Sequence, residues 1–144
     1  MITNKSLEQY LHKKIPLSEF MQVKVVRVDS DVELQCDLAP NHNHLGTAFG
    51  GSLSALMILA AYGQLFRLIE ENGHVVLKTT SMQFLIPVDE KLRAVCKSPS
   101  ENEIQSFVKT FARMKKARMT LQSQILLADG RVACTLSGEF VAVV

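Results

Sequence analysis

A long stretch without any charged side chain, residues 48 to 66, constrains this chain more than any other feature. About 18 apolar residues can cross a lipid bilayer, and a helix that is apolar all round is otherwise one enclosed by protein. The stretch contains three glycines, two serines and a glutamine, and no tryptophan flanks it, which argues against a membrane span. We therefore expect an enclosed core helix from about Gly50 to Glu71, ended by a left-handed residue at Asn72-Gly73.

The composition is that of a globular protein. With 144 residues, 47% hydrophobic and 21% charged, the chain is long enough for one domain with a sizeable core. A net charge of +2, two tyrosines and no tryptophan give little basis for binding nucleic acid. We expect a single domain over residues 1 to 144, with neither a nucleic-acid nor a membrane partner.

The cysteines and the first residues bear on the cellular compartment. Cys36, Cys96 and Cys134 lie far apart and show no metal-binding spacing, so small core residues in a reducing compartment are the simplest interpretation. The first residues are polar and include Glu8, unlike a signal peptide or a transit peptide. These observations predict a cytoplasmic protein.

The segments around the apolar stretch show both helix and strand patterns. A capping-box pattern at residues 6 to 9 predicts a short first helix, which Pro16 ends. A second capping box, Ser100 with Glu103, opens an amphipathic helix. Strands are predicted for residues 21–28 and 32–38 as a hairpin, for 75–88 paired with 91–97, and for two final strands around an Asp129-Gly130 turn. The whole pattern predicts an α+β protein with an antiparallel sheet built around the apolar helix.

The polar loop before the apolar helix carries the most specific motif. The string N-x-x-G-T-x-x-G-G, from Asn43 to Gly51, resembles the loop-to-helix motif of hotdog-fold acyl-CoA thioesterases. The fuller string APNHNHLGTAFGGSLSAL, with the SMQFLIPV and GEFVAVV segments, is similar to one subgroup of thioesterase-like domains, found in bacteria alone or fused behind an acetyltransferase domain. The resemblance covers nearly the whole chain. It implies a hotdog fold, in which a curved antiparallel sheet of five or six long strands wraps around one long helix.

The chemistry of this junction is compatible with thioester hydrolysis. Two adjacent glycines let a ligand approach the backbone, and amides at a helix N-terminus carry the positive end of the helix dipole. Gly50 and Gly51 are therefore candidates to bind the oxyanion of a thioester. The resemblance implies a catalytic role for Asn43, with Asn41 as the alternative one loop register away. From the residues alone, the favoured interpretation of Asn43 is a loop cap that bonds its own backbone.

Substrate contacts are expected around the same junction, and neither a metal nor a cofactor is expected. The predicted substrate-binding residues are Asn41, Thr47, Phe49, Ser81 and Phe84. His42 and His44 form an H-x-H pair, but two ligands without a nearby acid or thiolate do not complete a metal site.

Two positions depart from the pattern that the resemblance implies. Many related thioesterases have His at the position of Phe49 and a carboxylate near Ile58, about two turns into the helix. Glu70 and Glu71 lie about 30 Å from the glycines along the helix axis and cannot replace that carboxylate. The general base is left open: the fold's dimers build each site from both subunits, and the weaker candidates within the chain are Thr79, Ser81 and Tyr62.

A basic cluster follows the second amphipathic helix, at Arg113, Lys115, Lys116 and Arg118. Such a cluster could bind the phosphates of coenzyme A through charge-assisted hydrogen bonds. It could equally be a solvated helix end, since basic residues there suit the helix dipole. The sequence leaves both interpretations open.

The leading hypothesis is a thioesterase that hydrolyses an acyl thioester, with acyl-CoA as the expected substrate. The alternative is a non-catalytic acyl-CoA binding or sensing module, which the absent helix carboxylate and Phe49 motivate. A dehydratase on the same fold is disfavoured, because those enzymes pair a catalytic His with an acid. The resemblance implies at least a homodimer; a tetramer, the acyl chain length and the choice between coenzyme A and acyl carrier protein stay open.

Overall fold

A computed structural model describes residues 1–144, with four helices and six strands. The elements are α1 (Asn4–Lys14), α2 (Pro16–Phe20), β1 (Lys24–Val28), β2 (Val32–Cys36), α3 (Gly50–Ile69), β3 (His74–Phe84), β4 (Leu92–Cys96), α4 (Glu101–Met114), β5 (Lys116–Leu126) and β6 (Val132–Val143). Two single-turn 3₁₀ segments, Ala39–Asn41 and Glu70–Asn72, lie before and directly after α3.

The six strands form one antiparallel sheet in the order β1-β2-β4-β5-β6-β3. The sheet curves around α3, and α3 contacts all six of its strands. This architecture confirms the predicted α+β fold with one long central helix. It also confirms the two predicted hairpins, β1–β2 and β5–β6, the second of which turns at Gly130 with a φ of +91°.

Helix α3 is enclosed because α1 covers the side that the sheet does not. A side-chain carbon built on Gly63 would lie 3.2 Å from Val32 of β2 and 3.4 Å from Leu7 of α1. The helix is long and apolar enough to cross a membrane, yet 61% of its most apolar window is buried inside the protein. Packing between the sheet and α1 therefore accounts for the uncharged stretch.

The predicted pairing of β3 with β4 is wrong. Strand β3 pairs along its length with β6, from His74 opposite Val143 to Phe84 opposite Cys134, while β4 lies between β2 and β5. Lengths explain the arrangement, since β3 and β6 have 11 and 12 residues whereas β4 has five. The prediction chose β4 because it follows β3 closely in the sequence. The strand also ends at Phe84, before the predicted Pro87.

The predicted left-handed stop at Asn72-Gly73 is also wrong. Helix α3 ends at Ile69, the positive φ of +52° belongs to Glu70, and Gly73 is extended with a φ of 178°. Gly73 is instead needed for space, because a side-chain carbon there would lie 2.5 Å from the carbonyl oxygen of Val143. Glycine at this point lets the chain turn closely under the end of the sheet.

The helix caps at both ends of the chain follow the capping-box rule. Ser100 and Glu103 cap α4 reciprocally, as predicted. In α1 the box is Thr3 with Ser6, so the helix begins one turn earlier than the predicted capping box at residues 6 to 9. Pro16 ends α1 and also opens α2, where it occupies the first turn.

One buried polar side chain ties α3 to two strand ends. Gln64 is fully buried, and its Nε2 donates to the carbonyl oxygens of Ser30 at 2.7 Å and Cys96 at 2.9 Å. Its Oε1 accepts from Nε of Arg67 at 2.7 Å. Both donors and the oxygen of this amide therefore take part in fixing the helix beneath the hairpin turn.

The three cysteines are free and buried, which confirms their interpretation as small core residues. Burial raises the pKa of Cys36 and of Cys96 to about 12, and that of Cys134 to about 11. Their thiols therefore stay protonated and unreactive at neutral pH.

Replacing Gln64 with leucine should destabilise the protein by roughly 2–4 kcal/mol, because two buried carbonyls and the Arg67 guanidinium lose their partner. The free energy of unfolding from urea titration measures this loss. Gln9→Leu on the exposed face of α1 is the matched control, expected to stay within about 0.5 kcal/mol of the wild type. Equal stability of the two variants would contradict the role assigned to Gln64.

Candidate active site

The start of α3 has two backbone amides that donate to nothing within the chain. The amide of Ala48 donates to the carbonyl of Val88 at 2.7 Å, and that of Phe49 donates to the carbonyl of Asn41 at 2.8 Å. The amides of Ser52 and Leu53 both donate to the carbonyl of Phe49. Between these bonded groups, the amides of residues 50 and 51 donate no hydrogen bond.

The first turn of α3 has no side-chain cap. Phe49 occupies the N-cap position, where Ser, Thr, Asp or Asn would normally accept from the first turn, and its ring offers no acceptor. The first turn of α3 also contains no acidic side chain. Gly50 and Gly51 thus leave unpaired donors at the positive end of a 20-residue helix.

Asn43 organises the loop that leads into this helix. Its Oδ1 accepts from the amides of Leu45 at 2.9 Å and Thr47 at 3.2 Å, and its Nδ2 donates to Oγ1 of Thr47 at 2.9 Å. Gly46 completes the turn with a φ of +80°, and its amide donates to the carbonyl of Asn43. The loop-cap interpretation is therefore correct for Asn43, while one hydrogen of its Nδ2 has no partner within the chain.

Asn41 is buried beneath the same loop, with 2% of its surface exposed. Its Nδ2 donates to the carbonyl oxygens of Met21 at 3.0 Å and Asp37 at 2.9 Å. The main-chain carbonyl oxygen of Asn41 accepts from the amide of Phe49. These bonds join the end of α2, the end of β2 and the start of α3. The predicted substrate contact of Asn41 stays a prediction, and its observed bonds are structural.

Exposed apolar side chains lie in and beside the segment that carries the free amides. The ring of Phe49 is 57% exposed and lies against Gly51, in the space that a side-chain carbon there would need. The ring of Phe84 is 52% exposed, and its Cε1 lies 4.0 Å from the position of a side-chain carbon on Gly50. Leu45, in the preceding loop, is exposed as well. We call these three side chains the apolar collar.

Leu45 was missed at the sequence level. Its sequence position between polar residues looked like an ordinary loop, and only its 75% exposure in the loop that leads into α3 marks it. A large apolar side chain inside the polar motif was the available signal.

Ser81 does not join the other predicted site residues within one subunit. Successive side chains of a strand point to opposite faces, and Met82 and Phe84 face α3. Ser81 therefore points to the outer face of the sheet, where it pairs with Ser137 on β6. The same alternation places Thr79 on the outer face, opposite Glu139.

No general base stands on α3. Ile58 packs partly buried against the core, and the helix carries no acidic side chain from Gly50 to Ile69. Burial, followed by the hydrogen bond from its hydroxyl to Tyr10, raises the pKa of Tyr62. Its phenol therefore stays protonated and cannot serve as a base at neutral pH.

The two loop histidines do not assemble a metal site. His42 and His44 are both exposed, and Nδ1 of His42 lies 2.8 Å from the carbonyl oxygen of Asn43. In residues 1–144, no three His, Cys, Asp or Glu side chains cluster in a way that could hold a metal ion.

Comparisons with known proteins agree with this architecture. A protein of unknown function from Chlorobaculum tepidum TLS superposes with a TM-score of 0.90 at 28% identity, over 97% of this chain and 93% of that one. A putative thioesterase from Shewanella oneidensis gives a TM-score of 0.82 at 27% identity, over 98% and 97% of the two chains. A probable thioesterase from Pseudomonas aeruginosa has a TM-score of 0.84 at 17% identity, over 98% and 95%, a likeness of fold alone. No curated protein matches the sequence.

The fold is the hotdog fold of these thioesterase structures, as the sequence predicted. The family profile described as "Putative thioesterase (yiiD_Cterm)" matches residues 4–144, which is nearly the whole chain. The chain therefore belongs to this thioesterase family.

Proposed function

We propose that the protein hydrolyses acyl-CoA thioesters at the start of α3. The observation that carries this proposal is the pair of unpaired amides on Gly50 and Gly51, at the positive end of the most apolar helix and beside an exposed apolar collar. Preorganised backbone donors of this kind stabilise the negative charge that develops on a thioester carbonyl oxygen. The membership in a thioesterase family supports the same reaction.

In the proposed reaction, a base takes one proton from a water molecule as the water oxygen attacks the carbonyl carbon of the thioester; this proton passes to the leaving thiolate, and the carboxylic acid formed releases its own proton to solvent. The carbonyl oxygen becomes an oxyanion that accepts from the amides of Gly50 and Gly51. The tetrahedral intermediate then collapses, the carbon–sulfur bond breaks, and the thiolate leaves and takes up a proton. The products are a carboxylate and coenzyme A, and the apolar collar covers the acyl chain.

Asn43 has a double role in the proposal. Its Oδ1 and one Nδ2 hydrogen hold the loop, and the second Nδ2 hydrogen is available to the thioester or to the attacking water. Thr47 fixes the orientation of this amide through its Oγ1. A rigid loop would thus present one aimed donor beside the helix amides.

The proposed assembly is a homodimer formed through β3. This strand is an 11-residue edge of the sheet on which only Val75 is buried, while Val76 is 51% exposed. A long exposed edge with apolar side chains is a template for pairing with another strand. A twofold axis near Thr80 would pair β3 with the β3 of a second copy and bring groups of that copy beside the apolar collar. The base that α3 lacks would come from this second copy.

A non-catalytic acyl-CoA binding or sensing module is the second candidate. The absence of any acidic side chain on α3 favours it, because binding needs the amides and the collar but no base. We place either activity in the cytoplasm, since three free cysteines are typical of a reducing compartment.

Free thiol release from short-, medium- and long-chain acyl-CoAs separates the two candidates. A thioesterase should release thiol above background with a preference for one chain length. Saturable binding by calorimetry without any thiol release would instead support the sensing module. The buried thiols of the protein should contribute little background.

Gly50→Pro should lower kcat by roughly 100- to 1000-fold while preserving the fold. Proline removes the amide hydrogen, suits the first position of a helix, and is compatible with the φ of −64° and ψ of 133° at Phe49. Gly50→Ala is the matched control, because it keeps the amide and its added carbon has space. An unchanged rate for Gly50→Pro would remove this amide from the mechanism.

Asn43→Asp distinguishes a direct role of Asn43 from a loop role. The aspartate keeps the acceptor for Leu45 and Thr47 but loses the donor, so thiol release should fall about 100-fold if the donor acts on substrate. If Asn43 only holds the loop, Asn43→Asp should retain most activity and Asn43→Ala should not. His44→Ala controls for a change of an exposed loop side chain.

Thr80→Lys should convert the proposed dimer to a monomer. The residue is exposed in one subunit, but twofold pairing of β3 would set like charges opposite each other. Light scattering should show twice the 16.0 kDa chain mass for the wild type and a single chain for the variant. Gln122→Lys, which adds the same charge on the interior strand β5, should stay dimeric. A monomeric wild type at micromolar concentration would contradict this assembly.

A further inference from the structure

A groove that the proposed reaction does not use lies between α4 and the sheet. Its volume is about 1030 Å³, the scale of a small-molecule site. Lys116 and Arg118 of β5 line one wall, and Asn102, Ser106 and Thr110 of α4 line the other.

One wall of the groove is cationic. Lys116 and Arg118 are two positions apart on β5, so they share one face of the strand and lie about 7 Å apart. Neither makes an ion pair within the chain, whereas Lys78 across the sheet pairs with Glu139 at 3.4 Å. The one carboxylate in the lining, Glu103, already accepts from the amide of Ser100 in the capping box. The wall therefore favours an anion with more than one charge.

The facing wall carries uncharged hydrogen-bonding groups. Asn102, Ser106 and Thr110 recur every fourth residue and so share one face of α4, toward the groove. Amide and hydroxyl groups of this kind recognise hydroxyl and ring-nitrogen groups without contributing charge. The groove thus requires a ligand with an anionic part and a polar, uncharged part.

The apolar lining is too well covered for a long acyl chain. The buried members, such as Phe107 and Met119, are less than 10% exposed and present little surface to the groove. Met114, 61% exposed, is the exception and stands at the C-terminal end of α4. Its flexible thioether can pack against a flat ring.

We propose that this groove binds a nucleoside phosphate that carries at least two negative charges. The phosphates would lie on Lys116, Arg118 and Lys78, and the sugar and base on the polar face of α4 and on Met114. This resolves the basic cluster into two groups, since Lys116 and Arg118 line the groove and Arg113 does not.

The nucleotide site is separate from the start of α3. Lys78 precedes Phe84 by six residues of β3, which is about 20 Å of strand. Its ammonium group pairs with Glu139, on the face of the sheet opposite Phe84. The inference therefore does not depend on the proposed thioesterase activity.

Calorimetric titration with adenosine diphosphate tests the site. The double variant Lys116→Gln/Arg118→Gln should weaken binding about tenfold or more, because two charge-assisted contacts are lost. The matched control is Lys109→Gln/Arg113→Gln, which removes the same charge from exposed positions of α4 outside the groove and should bind as the wild type does. Equal weakening in both double variants, or no binding to the wild type, would overturn the proposal.

Inorganic pyrophosphate, which lacks the nucleoside, tests whether the groove recognises that part of the ligand. Inorganic pyrophosphate should bind at least about tenfold more weakly than adenosine diphosphate, and equal binding would overturn the assignment to a nucleoside. Asn43→Ala should bind adenosine diphosphate normally, so failure of the nucleotide site and failure of the thioesterase proposal are distinguishable.

Discussion

Enclosure of α3 is the constraint on which the rest of the structure depends. A helix that is apolar on all sides must be covered on all sides, and one curved sheet cannot do this alone. The sheet covers one side and α1 the other, and Gly63 lies where Val32 of the sheet and Leu7 of α1 meet beside the helix. The helix ends cannot be covered in the same way, because backbone groups there still need partners. The start of α3 therefore keeps backbone donors that neither the sheet nor α1 satisfies.

The loop before α3 compensates locally for a helix start without a cap. The Nδ2 group of Asn41 donates to two backbone carbonyls, and the Oδ1 of Asn43 accepts from two backbone amides, so that the chain enters the helix in one defined direction. Phe49 in the cap position then supplies no acceptor for the first turn, which costs helix stability by about 1 kcal/mol relative to a polar cap. An energetically unfavourable helix start that is held in place by a rigid loop is a common feature of binding sites.

Helices α1, α3 and α4 and the two hairpins were predictable from sequence because their signals are local. The uncharged stretch, the Ser100–Glu103 box and the Asp129-Gly130 turn each lie within one element or its turn. The partner of β3 was not predictable in this way, because β6 lies more than 40 residues further along the chain. The site was partly predictable: the motif pointed to Asn43 and the two glycines, but Ser81 was assigned without regard to the alternation of faces, which depends on which side of β3 meets α3.

The two faces of β3 separate two kinds of chemistry. On the inner face, Met82 packs on the core and Phe84 stands beside the free amides of α3, so a ligand there meets apolar surface and backbone donors. On the outer face, Lys78 meets Glu139 and the cations of β5, so a ligand there meets charge. Because β3 is an edge strand, a second copy paired along it would extend both faces at once. A missing base on the inner face therefore calls for a group from across this edge, since α3 itself offers only aliphatic and hydroxyl side chains near its start.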